Sequence, residues 1–409
     1  MNPAQRRRRR KRREEARLAR QRERLQDCFD FEKATALTTL MESAFICQRG
    51  TLWKPSVQRF MLMVLPNCAE MSAKLRDGTY EPRKMRHITL MERGKLRRIS
   101  PVNFRDRVVQ RALCDVCLTP ILENSLIIDN PASREGMGMS HARTRFDKHY
   151  EDHVRKYGHT GVLLQYDLSD FFHSIESARA YKKLNDQLLK IAGTSHLRRP
   201  AELLSREAKM YVMQEEGLGI GNHTSQLIAI WYASPIDHMF KEVLRVHGYG
   251  RYMDDGYAFF ATREEALHAL ELLRAKCAEL GLVLNEKKTT ITPITKPIVF
   301  LKRVYRLQED STIRVRVFAG ALRRYKRHYR GLVRKTSAGV LTPQTLYDSK
   351  QSYESVIATA VPRRGLKRQL RRWWRRIDEK VEISTDDSER SSVGVDLRVD
   401  TRLMFELLR

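Results

Sequence analysis

Two short stretches carry acids inside apolar surroundings. In "RYMDDGYAFF" (251–260), Asp254 and Asp255 interrupt an apolar run, and in "GVLLQYDLSDFF" (161–172), Asp167 ends one. The flanks of the first stretch read as two short strands, with the acids where a tight hairpin would turn. Asp-Asp-Gly also suits a bare turn with no further purpose. A charge at the end of a buried strand such as "VLLQY" needs a partner, because burying it alone is costly. If the two stretches lie side by side, three carboxylates converge and repel one another. Cations resolve that repulsion, and hard oxygen ligands favour Mg²⁺. Two such ions serve in-line phosphoryl or nucleotidyl transfer: one activates a hydroxyl and the other steadies the leaving phosphate.

The rest of the chain must position those acids. Its 409 residues, 42% of them apolar, suffice for two or three domains with buried cores. The net charge of +28 comes from 77 Lys and Arg against 49 Asp and Glu. Clustered basic charge with aromatics among it points to a polyanionic partner, most often nucleic acid; a merely solvated surface is the plainer alternative. No apolar run approaches a membrane span, and no apolar segment follows the N-terminal arginines as a secretory signal requires. A cytoplasmic protein away from membranes is expected. Cys28, Cys47, Cys68, Cys114, Cys117 and Cys277 include one lone C-x-x-C without a second pair at zinc spacing, so buried reduced thiols are expected.

Along the chain, 1–26 is a basic arm, with Arg6 to Arg13 unbroken in positive charge. "KMRHITL" and "KLRRISP" pair as a hairpin around Glu92-Arg93-Gly94. "NFRDRVVQRALCDVCLTPIL" predicts a helix capped by Asn103. "GIGNHTSQLIAIWYASPIDHMFKEVL" predicts a Gly-rich turn opening a long helix. Thr262 and Glu265 form a capping box for a helix that stops at Gly281. "LVLNEKKTTITPI" and "PIVFLKRVYRL" add strands, and from about 315 the chain becomes basic helices with Tyr325, Tyr329, Trp373 and Trp374 among arginines.

Taken in order, these blocks resemble the bacterial and phage reverse transcriptase family. "QYDLSDFF", "GIGNHTSQ", "YMDD" and "GLVLNEKKT" are similar to its palm motifs, and "FLKRVY" to its primer-grip block. "KLRRISPVNFRDRVVQRAL" and "SREGMGMSHA" are similar to its fingers blocks. The likeness spans about 80 to 306. One departure is Lys302, where the family usually has Gly. The resemblance implies an α+β right-hand polymerase: a basic arm (1–26), fingers (27–160), a palm with an antiparallel sheet (161–310), a basic helical thumb (311–380) and a tail (381–409).

It also implies roles. Asp167, Asp254 and Asp255 would bind two Mg²⁺ ions, with Mn²⁺ as the alternative. Lys95 and Arg97 would neutralise the incoming triphosphate. Phe172 would lie under the sugar and exclude a 2′-hydroxyl, its plain alternative being core packing. Gly221, Ser225 and Gln226 would shape the nucleotide and template pocket. Lys288 would assist pyrophosphate departure, or else be a solvated lysine. Arg134 would contact template or triphosphate. Arg323, Arg324, Lys326 and Arg327 would grip duplex backbone. The partners would be a template RNA, structured and noncoding, with a primer, its cDNA and dNTPs; an accessory protein or a homo-oligomer stays open.

Ile220-Gly221 and Ser225-Gln226 stand where most members have Gln-Gly and Ser-Pro. That variant, with "FRDRVVQRAL", resembles diversity-generating retroelement enzymes. An antiphage-defence enzyme copying a partner noncoding RNA is the alternative, and an RNA-binding, maturase-like protein the further one. An RNA-directed RNA polymerase and a template-independent DNA polymerase are the remaining rivals; Phe172 speaks against the first. No "VTG" block and no Cys-rich or HNH module follows, which disfavours retron and mobile-intron enzymes.

Overall fold

The chain divides into two units, Met1–Leu301 with Tyr305–Arg314, and Lys302–Val304 with Val315–Arg409. The computed structural model describes residues 12, 19, 23, 29–84, 87–92, 95–193, 196–213, 217–358 and 364–378. The arm, apart from Arg12, Ala19 and Glu23, and the tail 381–409 lie outside the described residues.

The strands are β1 (Ile88–Glu92), β2 (Lys95–Ile99), β3 (Val162–Ser169), β4 (Tyr249–Tyr252), β5 (Asp255–Phe260), β6 (Val283–Leu284), β7 (Thr290–Pro293), β8 (Ile298–Phe300), β9 (Arg303–Leu307) and β10 (Ile313–Val317). β1 and β2 form the expected hairpin. The main sheet runs β4-β5-β3-β6, with β7 also on β3, and every pairing is antiparallel. A three-stranded sheet has the order β10-β9-β8.

β3 is apolar almost throughout because both of its faces are covered. On one face, Phe146 of helix Met139–Tyr157 packs at 4.7 Å from Tyr257, 4.7 Å from Phe300 and 4.6 Å from Tyr305. Tyr249 and Tyr166 stack on Phe240 at 4.4 and 6.2 Å. Helix Arg263–Leu280 packs on β3 and β5, and starts and stops as its sequence predicts. Its capping box closes at Thr262 and Glu265, and Gly281 ends it in the left-handed region at φ 71°. Asn103 likewise caps helix Phe104–Leu113. The cysteines among the described residues are buried and unbridged. Cys114 and Cys117 sit in a π-helical turn, Cys114–Leu118.

The second unit holds helices Ala319–Ser337, Pro343–Ala358 and Arg364–Asp378. Its core is Tyr329, Val333, Leu346, Leu370 and Trp374. Tyr325 stacks on Tyr353 at 3.5 Å and accepts a hydrogen bond from Trp374 Nε1 at 3.1 Å. Most of the aromatics among the arginines are therefore core, and the arginines are left on the outside. Among the described residues no helix is long and apolar enough to cross a membrane.

Candidate active site

The three acids come from two antiparallel pairings that share β5. Asp167 lies directly opposite Asp255 across β3 and β5, so their side chains leave the same face. Tyr252 pairs with Asp255, which leaves Met253 and Asp254 as a two-residue turn. Asp255 is thus the first residue of β5 rather than part of the turn. The Asp254 carbonyl accepts from the Leu168 amide at 3.0 Å, which ties the turn back to β3. Gly256 must lack a side chain: a Cβ there would sit 2.1 Å from Cζ of Tyr166, which crosses beneath the hairpin.

Asp167 is buried, Asp254 half-buried and Asp255 exposed. Lys288 Nζ donates to Asp167 Oδ1 at 2.6 Å, and Asn285 Nδ2 donates to Oδ2 at 3.0 Å. The Asn285 amide also donates to the Asp167 carbonyl at 2.8 Å. Desolvation and the negative charges of Asp254 and Asp167 push the Asp255 carboxyl up to about 7, with Lys288 pulling the other way. Because Asp255 is open to solvent, the crowding of like charge is the cause a cation would relieve. Hard carboxylate oxygens under mutual repulsion suit a divalent cation. Among the described residues the acids do not form a closed metal cage. Lys288 occupies one oxygen of Asp167 and Asn285 the other. Beside the acids lies a cleft of about 220 Å³, lined by Gln165, Asp167, Asp255, Lys288, the end of β8 and Leu301 just past it.

The other expected residues lie on other elements. Phe172 is half-buried, 5.6 Å from Phe171, and its carbonyl accepts from Leu218 at 2.9 Å. The turn that follows reaches the fingers hairpin: Ser100 donates to the Ile220 carbonyl at 3.0 Å. Gly221, at φ 101°, would bring a Cβ to 3.3 Å from Ile99. Ser225 is buried on helix His223–Tyr232, and its amide is capped by Asn222 Oδ1 at 3.3 Å. Gln226 is half-buried on the same helix. Lys95 and Arg97 lie on β2, two residues apart and so on one face. Their side chains are outside the described residues.

Arg134 is engaged with its own loop. Its Nη1 donates to the carbonyls of Ile127 and Asn130 at 3.1 and 3.3 Å, and its Nε faces Glu123 at 3.4 Å. Arg323, Arg324 and Arg327 are exposed on helix Ala319–Ser337, and Lys326 lies over the Trp373 ring at 5.2 Å. At the primer-grip block, Leu301 and Lys302 both adopt left-handed backbone, φ 42° and 66°. The glycine usual at the Lys302 position would enter that region at no steric cost. Arg143 compensates nearby, donating twice to the Leu301 carbonyl at 2.7 and 3.1 Å.

Residues 83–304, more than half of the chain, match the family model described as reverse transcriptase (RNA-dependent DNA polymerase). The chain belongs to the reverse transcriptase family. Its α+β architecture, with the acid-bearing hairpin on an antiparallel sheet, is the right-hand polymerase fold. Polymerases of this family use divalent metal ions. Among solved structures it is similar to telomerase from Candida albicans in complex with a TWJ fragment of telomeric RNA, with a TM-score of 0.42 and 12% identity. That likeness covers 62% of this chain and 51% of the other, so this chain spans about half the length of that telomerase. No curated protein matches the sequence.

Sequence reasoning missed Asn285, Gly256 and the buried Arg251. Asn285 stood inside the quoted "LNEKKT" block, and Gly256 immediately after the acids. The signal for Arg251 was a charge within an apolar strand, which is costly unless paired.

Proposed function

We propose that this chain copies RNA into DNA as the polymerase of a diversity-generating retroelement. The observation that carries the polymerase reading is the placement of Asp167 opposite Asp255, with Asp254 at the adjoining turn. Rigid paired strands hold these acids where a flexible loop could not. The three residues would hold two Mg²⁺ ions. When bound, such ions supply charge stabilisation for attack of a primer hydroxyl on the α-phosphate and for departure of pyrophosphate.

The chain's own residues do the rest. Lys288 neutralises Asp167 at the mouth of the cleft, where a leaving pyrophosphate would pass. Phe172 limits the space beneath the incoming sugar and thereby disfavours a 2′-hydroxyl. Lys95 and Arg97 meet the triphosphate. Gly221, Ser225 and Gln226 bound the nascent pair, and Arg323, Arg324, Lys326 and Arg327 meet phosphates of the duplex. The retroelement assignment rests on the "GIGNHTSQ" variant, whose Gly221 turn packs against Ile99 of the fingers hairpin.

The test is to sequence the nucleic acid that co-purifies with the wild type and with Asp254→Ala. DNA complementary to one RNA, present only with the wild type and altered opposite adenine, is the expected result. Faithful or repeated copies would move the assignment to antiphage defence. RNA with both proteins and DNA with neither would favour a maturase-like RNA-binding role.

A further inference from the structure

Beneath the acid-bearing hairpin lies a second charged centre. Arg251 and Asp237 are both fully buried. The guanidinium grips the carboxylate with both prongs: Nε to Oδ1 and Nη2 to Oδ2, each at 2.7 Å. Asp237 is further bonded by the Tyr249 hydroxyl at 2.6 Å and by Asn130 Nδ2 at 3.0 Å. Arg251 has donors left over. Nη2 reaches the Ile230 carbonyl at 3.0 Å, and Nη1 reaches the Met253 carbonyl at 2.9 Å. Its backbone amide donates to the Asp129 carbonyl at 3.0 Å.

The bond to Met253 is the one with a consequence for the site. Met253 occupies the first position of the two-residue turn at φ 58°. Glycine is the usual residue where a hairpin turn needs that conformation. A methionine there must be held by its surroundings. The Met253 carbonyl belongs to the planar peptide that leads into Asp254. The Asp254 carbonyl, on the far side, is held by the Leu168 amide at 3.0 Å. Asp254 is thus fixed from both sides: by Arg251 before it and by β3 after it.

We propose that Arg251, oriented by Asp237, is a positioning residue that sets the direction of Asp254 relative to Asp167 and Asp255. The inference rests on the polymerase reading above for its effect on turnover, but not for its effect on the hairpin itself. Lysine cannot reproduce the fork, because it lacks the planar set of donors needed to hold Asp237 and Met253 together. An apolar pair of similar volume keeps the core filled and is commonly tolerated in place of a buried ion pair.

Two variants test this: Arg251→Lys, and the double variant Arg251→Met with Asp237→Leu. Three readouts are taken on the full chain: the melting temperature, kcat and KM for dNTP on a primed RNA template, and amide hydrogen exchange of peptides covering 162–169 and 249–260. The expected result for a variant that melts like the wild type is faster exchange at Leu168 and across the hairpin. Its KM stays close to the wild-type value, and its kcat falls about a hundredfold, as for a small misplacement of a reacting group. Unchanged exchange and unchanged kcat in such a variant would overturn the proposal and leave Arg251 as core filling. Failure of the wild type to make DNA would count against the polymerase reading alone, because the exchange measurement needs no turnover.

Discussion

Asp237 and Asp255 lie close in sequence and stand in opposite electrostatic conditions. Asp237 is fully buried, yet each of its oxygens is bonded by the Arg251 fork and by a second donor, Tyr249 or Asn130. Asp255 is exposed, yet it faces Asp167 and lies beside Asp254, and its carboxyl is pushed up to about 7. The buried acid is satisfied and the exposed one is crowded. A carboxylate whose donors are complete supports the fold. One left among like charges, beside a cleft, is arranged for something the chain itself does not supply. Burial alone would have ranked the two the wrong way round.

That contrast can be broken at four points, in falling order of effect. Asp254→Ala should lower DNA synthesis at least about a thousandfold, the rate equivalent of losing several kcal/mol of charge stabilisation, while the protein still melts as a folded chain. Primer extension together with a thermal melt reads both. Near-normal extension would remove the proposed roles of the acids. Asp237→Asn should act in the reverse sense, destabilising the fold by about 3–5 kcal/mol because Arg251 keeps a buried charge without its counter-charge. Denaturant unfolding measures that, and a cost comparable to a surface substitution would contradict the account of the centre.

The third point is the response to Mg²⁺. The wild type should gain stability with added Mg²⁺, by about 2.7 kcal/mol at a concentration one hundred times the dissociation constant. Asp254→Ala should gain much less, and Asp237→Asn should keep the response although it starts from a lower melting temperature. Equal gains in the wild type and Asp254→Ala would mean that the ion binds elsewhere.

The smallest effect is the pH dependence without metal. The Asp255 carboxyl has a higher pKa in the folded chain, about 7, than its ordinary value of 3.8. Its ionised form therefore opposes folding above pH 7, and that penalty fades as pH falls toward 4. In chelator, the wild type should gain melting temperature relative to Asp255→Asn as the pH is lowered from 8 to 5. Parallel curves for the two proteins would show that the crowding costs nothing.

Much of the site was legible because its parts are local. Short apolar runs around Asp167 and around Asp254–Asp255 predict buried strands, and the acids mark where those strands end or turn. The hairpin of 88–99, the cap at Asn103 and the capping box at Thr262 needed only near neighbours. The Arg251 fork was not legible in the same way. Its partners Ile230, Asp237 and Met253 lie on separate elements, and no spacing rule brings them to one guanidinium. Nor does composition reveal that Arg134 is occupied by its own loop, or that Tyr325 and Trp374 face inward while Arg323 and Arg324 face out.

Residue order and type were enough to specify many of the strands and helices, and that acids would meet at a strand end and a turn, although the long helix expected after the Gly-rich turn is broken into His223–Tyr232, Ser234–His238 and a π-helical Met239–Val243. Those outcomes depend on interactions within a few residues and on the two-residue alternation of a strand. The packing of distant segments decided the remainder: which charges are neutralised, which are left crowded, and how a methionine and a lysine are held in backbone conformations that suit glycine. Such choices depend on donors and acceptors contributed by elements far apart in the chain, and only the folded arrangement brings those groups within hydrogen-bonding distance.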